Sequence, residues 1–442
     1  MKDKTFSFKG GIHPPYSKEL TESISLTQAL PPKIVYIPLQ QHIGAPCDPI
    51  VKSGDKVKIG QKIGDSQAFV SVPIHSSVSG TVKNIIDFPT PTGSKVKTIV
   101  IESDDSYEIC DTVKPMGDIN NLTSKEIIEI IREAGITGMG GATFPTHVKL
   151  SPPPEKKIDT VILNGAECEP YLTSDHRLMV EHPQKVVFGL KAIMKAVNVN
   201  KGIIGIEDNK PDAIKNIKKI IANEPSIQDA VLKTKYPQGG EKRLIDAITG
   251  RKVPPGALPM DVGIVVNNVG TASAIADSIQ KGMPLIERIV TVTGNGIVQP
   301  SNMIVKIGTP FKEVIEQCGG YSGVPGKVIS GGPMMGFAQY TTEVPVIKGT
   351  SGILVINQFD AYSEIEQPCI KCARCVDVCP VGLLPIKIAN YSQKSKWDEA
   401  EEYNALYCIE CGSCSFICPA KRPLVQRIRL VKGEILAKKR SK

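Results

Sequence analysis

"GMGGATFPTHVKL", residues 138–150, sets three glycines in four positions and follows them with Phe144-Pro145-Thr146. Glycine in a loop either admits backbone angles closed to other residues or lets another group approach the main chain. Two readings follow: a tight turn, or a cradle in which backbone N–H groups meet a phosphate. The stretch is neither GxGxxG nor GxxxxGK[ST], so only its surroundings can choose.

Those surroundings alternate between helix and strand. Upstream, "SKEIIEIIREAGI" (124–136) has a helical period, with Thr123 or Ser124 placed to cap it. Downstream, "DTVILNGA" (159–166) reads as a buried strand running into a loop, and "HPQKVVFGLKAIMKAV" (182–197) as a helix. "KGIIGIEDN" (201–209) is a strand, "KPDAIKNIKKIIAN" (210–223) a helix and "IVVN" (264–267) a strand. Residues 113–285 therefore form an α/β layer of Rossmann-like type. The loop "LNGAECEPYLTSDHRLM" leaves its strand where ligand loops of open α/β sheets sit. It carries Asn164, Glu167 and Glu169; "YPQGGEKRL" and "VVNNVGTASA" add further polar loops. Each loop taken alone is equally a turn or a cap.

The flanks differ in kind. Residues 1 to about 30 read as an extended arm containing "GGIHPP". From Ile34 to Glu102, short β-rich runs alternate with Gly-containing turns, the spacing of a small sandwich or barrel. "GDKVKIGQKIG" and "PIHSSVSGTV" resemble the two halves of a lipoyl/biotinyl-type barrel sandwich. The hairpin lysine of carrier domains is missing, so residues 1–112 are expected to dock rather than swing. Residues 286–350 give two strands, a Gly308-Thr309-Pro310 turn and a helix, which looks like an SLBB-type β-grasp. No P-loop occurs.

Of twelve cysteines, Cys47, Cys110, Cys168 and Cys318 are scattered. The other eight make two runs, Cys369-x2-Cys372-x2-Cys375-x3-Cys379-Pro380 and Cys408-x2-Cys411-x2-Cys414-x3-Cys418-Pro419. This is the spacing of bacterial two-cluster ferredoxins, in which the fourth cysteine of each run serves the other cluster. That resemblance gives one [4Fe-4S] cluster to Cys369, Cys372, Cys375 and Cys418. It gives the second to Cys408, Cys411, Cys414 and Cys379. Structural zinc favours paired CxxC knuckles on longer loops. Residues 363–425 are thus expected to be a helical two-cluster ferredoxin-like domain, followed by a basic tail over 426–442.

Net charge is +8, and nine of the residues from Lys421 to Lys442 are Lys or Arg against one acid, Glu434. No aromatic residue lies there, which speaks against base stacking and nucleic-acid binding. The tail is either solvated or in contact with anionic lipid or an acidic partner. Leu424, Val425, Ile428, Val431 and Ile435 recur in it at helical spacing. No apolar run suits a membrane span or a signal core, so a soluble cytoplasmic protein is expected. No Ser-His-Asp arrangement or HExxH motif indicates hydrolysis.

Together the loops gain meaning. Gly138-x-Gly140-Gly141-Ala142-x-Phe144-Pro145-Thr146, Asn164-x-x-Glu167-x-Glu169-Pro170, Tyr236-x-x-Gly239-x-Glu241 and Asn267-Asn268-Val269-x-Thr271 resemble the FMN- and NADH-binding subunit of respiratory complex I. With the arm, barrel sandwich, β-grasp and paired cluster runs added, nearly the whole chain is similar to the RnfC family of the Rnf ion-translocating ferredoxin:NAD oxidoreductase complexes. The resemblance implies FMN held by Gly138, Gly140, Gly141, Ala142, Lys149, Asn164, Tyr236, Gly239, Glu241, Asn267, Asn268 and Thr271. It implies that Phe144 stacks on NADH and that Glu169 faces the nucleotide ribose. Met139 stands where an arginine is usual, Ala166 where an aspartate is, Cys168 where a serine is, and Gly240 in place of a glutamate.

The function so implied is electron exchange between NAD(H), FMN and two [4Fe-4S] clusters. The chain would be a peripheral subunit on the cytoplasmic face of the cell membrane, docked on a ferredoxin-domain subunit and membrane subunits of the Rnf complex. Two alternatives are a soluble cobalamin reductase of the propanediol-utilisation type and an electron-relay scaffold without flavin.

Overall fold

The computed structural model describes residues 5–361 and 365–440. The first four residues of the expected arm, residues 363 and 364 at the expected start of the cluster domain, and the last two of the tail lie outside the described residues.

Short strands come first: β1 (Leu26–Gln28), β2 (Ile34–Pro38), β3 (Asp48–Pro49), β4 (Lys56–Val57), β5 (Lys62–Asp65), β6 (Ile74–His75), β7 (Gly80–Pro89) and β8 (Lys95–Ser103). One antiparallel sheet has the order β2-β8-β7-β4, a second the order β3-β5-β6. Their core follows the two-residue period: Val35, Ile37, Ile99 and Ile101 are fully buried together with Ile63 and Ile74.

The middle of the chain holds α1 (Ser124–Glu133), α2 (Thr146–Lys149), β9 (Thr160–Gly165), α3 (Ser174–Glu181), α4 (Pro183–Ala196), β10 (Gly202–Glu207), α5 (Pro211–Ile221), β11 (Ile227–Leu232), α6 (Glu241–Thr249), β12 (Ile264–Asn268) and α7 (Val269–Gln280). Thr123 caps α1 through a reciprocal box with Glu126, which settles the choice left by the sequence. The sheet is parallel throughout, ordered β11-β10-β9-β12. Helices cover both faces, so β10 is buried along its whole length.

Next come β13 (Glu287–Thr293), β14 (Ser301–Lys306), α8 (Phe311–Gln317), β15 (Pro325–Ser330), β16 (Phe337–Ala338) and β17 (Gly352–Asn357). They form a sheet of order β1-β14-β13-β17-β15-β16. This sheet reaches past both ends of the 286–350 stretch. It takes in β17, and it takes β1 from the expected arm, with Leu26 paired to Asn302. A three-residue edge strand is held by backbone hydrogen bonds and leaves no hydrophobic period to read.

The chain ends in α9 (Arg374–Asp377), α10 (Pro385–Gln393), α11 (Trp397–Glu402), α12 (Ser413–Phe416) and α13 (Leu424–Arg440). Here the expectation of a separate tail is corrected. Leu424, Val425, Ile428, Val431 and Ile435 are all buried, the last three packing with Ile388, Ala400 and Ala405. Their helical spacing marks a core face, and Arg429 and Lys432 are paired with Glu410 at 3.0 and 2.5 Å. Among the described residues no helix is long and apolar enough to cross a membrane.

The arm also has fixed partners. Phe6 bridges Leu232, and Ile12 exchanges two backbone hydrogen bonds with Tyr236, at 2.8 and 2.9 Å. Gly11 donates to the Val378 carbonyl at 2.9 Å. Its φ is +80°, and a Cβ there would stand 2.6 Å from the Tyr236 oxygen, so the "GG" of the arm is a passage between two domains.

Candidate cofactor site

The C-terminal edge of the parallel sheet gathers the polar loops. α7 starts directly after β12, and Asn268 caps it, its Oδ1 accepting the Gly270 N–H at 2.7 Å. The glycine loop lies against this cap. Met139 N–H donates to Thr271 Oγ1 at 2.9 Å, and Gly138 N–H to the Phe144 carbonyl at 2.8 Å.

The three glycines do different things. Gly140 has φ +71°, and a Cβ on it would stand 2.8 Å from Asn268 Nδ2. Gly141 has nothing within 4 Å of where its Cβ would be, and Gly140, Gly141 and Ala142 are exposed. Beside the loop, Asn267 is buried and its Nδ2 donates to no described atom. A buried amide without an acceptor is costly unless a ligand supplies one. These two features, exposed loop backbone and an orphaned donor, fit a phosphorylated flavin.

The other expected residues converge on the same edge. Asn164 Nδ2 donates to the Gly239 carbonyl at 2.8 Å. Lys149 reaches Glu241 at 2.7 Å and the Val266 carbonyl at 2.7 Å. Tyr236 is buried, and the Cys168 sulfur accepts the Gly239 N–H at 3.2 Å. Phe144 is half-buried at the return of the glycine loop.

Glu169, expected to face the nucleotide ribose, also has partners within the protein. Its carboxylate accepts the N–H groups of Met334 at 3.1 Å and Met335 at 2.9 Å, from the loop between β15 and β16. The cause is the glycine at 332, whose missing Cβ would otherwise stand 2.3 Å from the Glu169 oxygen. Burial pushes this carboxyl up to about 7, against the two amides that lower it.

Several residues that hold the site escaped the sequence reading. Lys18 is buried and donates to the carbonyls of Glu167 and Glu169, each at 2.9 Å, and to that of Leu172. Lys210, buried beside Glu207, donates to the Ala166 carbonyl at 2.8 Å. Two ammonium groups thus grip one loop from behind. The Glu167 carboxylate caps α3 through Asp175 N–H at 2.7 Å and His176 N–H at 3.0 Å. A lysine in a loop reads as solvent-facing, and no period or motif marks these two.

The second site is the cysteine domain. Cys379, Cys408, Cys411 and Cys414 line one cavity, closed by Pro380, Leu383 and Ile428. Cys379 thus stands with the other run's three. Cys369 and Cys418 are both near enough to Cys375 for their charges to act on its thiol. Cys411 and Cys414 are buried, while Cys369 and Cys372 are exposed. Between the two sites, Ile12, Cys168, Tyr236 and Cys411 form one buried cluster, bordered by Met334 and Val378.

Comparison with known proteins agrees with this division. Family models match residues 6–106 (RnfC barrel sandwich hybrid domain), 131–277 (Nuo51 FMN-binding domain), 289–338 (SLBB domain) and 368–421 (4Fe-4S dicluster domain). The chain is 54% identical over 440 residues to the C subunit of the Na(+)-translocating ferredoxin:NAD(+) oxidoreductase complex of Acetobacterium woodii, covering 100% of this chain and 99% of that one. It is 52% identical over 430 residues to the C subunit of the proton-translocating ferredoxin:NAD(+) oxidoreductase complex of Clostridium ljungdahlii, covering 97% and 94%. The C subunit of the ion-translocating oxidoreductase complex of Rhodobacter capsulatus is 40% identical over 435 residues, covering 98% and 84%. Among solved structures, a chain of the NAD+-reducing [NiFe]-hydrogenase in the H2-reduced state matches with a TM-score of 0.51 at 17% identity, over 73% of this chain and 65% of that one. At that identity the likeness is one of fold.

Proposed function

This chain belongs to the RnfC family of ion-translocating ferredoxin:NAD+ oxidoreductase complexes, and on that premise we propose the following electron route and assembly for it. Gly138–Ala142 and the first turn of α7, at the C-terminal edge of the parallel sheet, would hold the phosphate of FMN. When bound, the flavin exchanges a hydride with the nicotinamide and single electrons with the clusters. Asn164, Tyr236, Gly239, Glu241, Asn267 and Asn268 orient it, and Phe144 covers the nicotinamide side. Lys18 and Lys210 keep the 166–172 loop in register behind it.

The single observation that carries the route is the buried cluster of Ile12, Cys168, Tyr236 and Cys411, because it joins the flavin edge to one cysteine set through packed side chains. The cluster ligated by Cys408, Cys411, Cys414 and Cys379 is therefore the inner one. The cluster ligated by Cys369, Cys372, Cys375 and Cys418 is the outer one, and its exposed loop is where electrons pass to or from a partner protein. Glu169 serves chiefly as a tie to the Met334 loop.

The complex translocates ions and the chain sits on it peripherally, on the cytoplasmic side of the membrane. Relatives named for Na(+) and for protons are 54% and 52% identical to this chain, so ion choice is assigned to partner subunits. Family membership displaces the cobalamin-reductase alternative. Anaerobic purification with iron, sulfide and flavin counts, followed by NADH titration of the chromophores, tests the rest. About eight iron and one FMN per chain are expected. Protein that takes up no flavin on reconstitution would leave only the relay scaffold.

A further inference from the structure

Arg288 is in an unusual position for a cation. It lies on β13, in the β-grasp sheet, but its side chain reaches out of that sheet and under the glycine loop. It is 7% exposed. Its Nε donates to the Thr350 carbonyl at 3.2 Å, and Nη1 packs against the sulfur of Met139. Nη1 also lies at the start of α7, where a Cβ built on Gly270 would be 3.6 Å away.

Two things make this arrangement incomplete. A guanidinium stays charged at any working pH and is costly to bury without a counter-ion. Among the described residues Arg288 forms no ion pair within 4 Å. The carboxylate whose field it feels is Asp175, and that group is engaged by Asn268 Nδ2 at 2.6 Å and faces the charge of Glu167. Moreover, the first turn of a helix carries partial positive charge, so a cation placed there is repelled unless an anion sits beside both. The position calls for an anion. The residues most open to one are Gly140, Gly141 and Ala142, which follow Met139 in the loop and are exposed.

We propose that Arg288 is a binding residue for the phosphomonoester of the flavin, supplied by the β-grasp domain to a pocket otherwise built by the α/β domain. It supplies, against the Met139 side chain, the cation that position 139 does not carry. The assignment rests on the FMN reading above. It also gives the β-grasp sheet a chemical task in addition to its packing one: flavin holds the two domains together, and their contact selects the phosphorylated flavin.

The test compares FMN with riboflavin, which differ by the phosphate alone. Wild type, Arg288→Lys and Arg288→Met are prepared anaerobically and titrated with each flavin by fluorescence quenching, without nicotinamide or turnover. Circular dichroism and the cluster absorbance check folding. The wild type should prefer FMN. Arg288→Met should lose about 10- to 100-fold in FMN affinity, the range for a hydrogen bond to a charged group. Its riboflavin affinity should stay within about twofold, and Arg288→Lys should fall between. Equal weakening toward both flavins would assign Arg288 a purely structural role and overturn the proposal, as would unchanged FMN affinity in Arg288→Met. Should Arg288→Met not fold, Arg288→Lys decides by the same ratio. Wild-type protein that binds neither flavin overturns the FMN reading itself, whereas binding both equally overturns only the role of Arg288.

Discussion

Met334 donates its backbone N–H to the Glu169 carboxylate at 3.1 Å, and its carbonyl lies 3.0 Å from where a Cβ on Gly412 would stand. One residue of the β15–β16 loop thus lies against both the loop that carries Glu169 and the cluster loop.

A pH dependence follows from that contact. Glu169 is raised to about 7 by burial, so between the ordinary carboxyl value of about 4.3 and 7 the folded chain keeps a proton that the unfolded chain has released. Stability from this group is full at the acid end and falls as pH rises through 7. Asp175, also raised to about 7 by burial, contributes in the same direction. Glu169→Gln should therefore melt with a flatter pH profile than wild type from pH 5 to 7. The difference in slope is at most about 1.4 kcal/mol per pH unit, read from thermal midpoints. Parallel profiles would refute the buried-carboxyl account.

The glycines of the 138–141 loop should separate by position. Gly140→Ala places a Cβ against Asn268 at positive φ, so the fold itself should lose roughly 1 kcal/mol. In Gly141→Val the Cβ meets no described atom within 4 Å, so the melting temperature should stay near wild type while FMN retention is abolished. A folded Gly141→Val protein with unchanged FMN affinity would end the cradle reading.

For the clusters, Cys379→Ala should remove the inner one, lowering iron from about eight to about four per chain while the Cys369 signal persists in EPR. Air should act in the opposite order: Cys369 and Cys372 are exposed, so the outer cluster should be lost first. Loss of the Cys369 signal in the Cys379 variant would disprove the crossed ligation.

In the last helix, Ile428→Ala empties a position that is 1% exposed and should cost about 2–4 kcal/mol, with cluster loss on warming. Leu430→Ala, 55% exposed, should be near neutral. If removing residues 426–440 left both clusters intact, the burial of this helix would have no energetic weight.

Lys18→Met should leave three loop carbonyls without their donor and cost about 1–3 kcal/mol, with weaker flavin retention. The thermal midpoint and the flavin-to-protein ratio check it together.

What the sequence disclosed divides along a physical line. Local chemistry was legible: cysteine spacing, the period of α1 and the glycine loop each depend on neighbours a few residues away. Long-range placement was not. Leu424 to Ile435 carry the spacing of a buried face, but the basic residues among them suggested a free tail until Glu410 supplied their partner. Lys18, Lys210 and Arg288 act through carbonyls and loops far away in sequence, and a lone cation has no pattern. β1 has only three residues, too few for a period.

The docked arm has a consequence for biosynthesis. Lys235 donates to the Phe8 carbonyl across 227 residues of chain, and Gly11 waits for the still later Val378. On the ribosome, the barrel, the parallel sheet and the β-grasp can each close as their residues emerge. The arm cannot finish docking until Val378 has emerged, because that partner belongs to the loop that carries a cluster ligand, Cys379. An early stretch of the chain thus gains its full set of partners late. Limited proteolysis of residues 5–18 in cluster-loaded and cluster-free protein should show whether their protection depends on the metal.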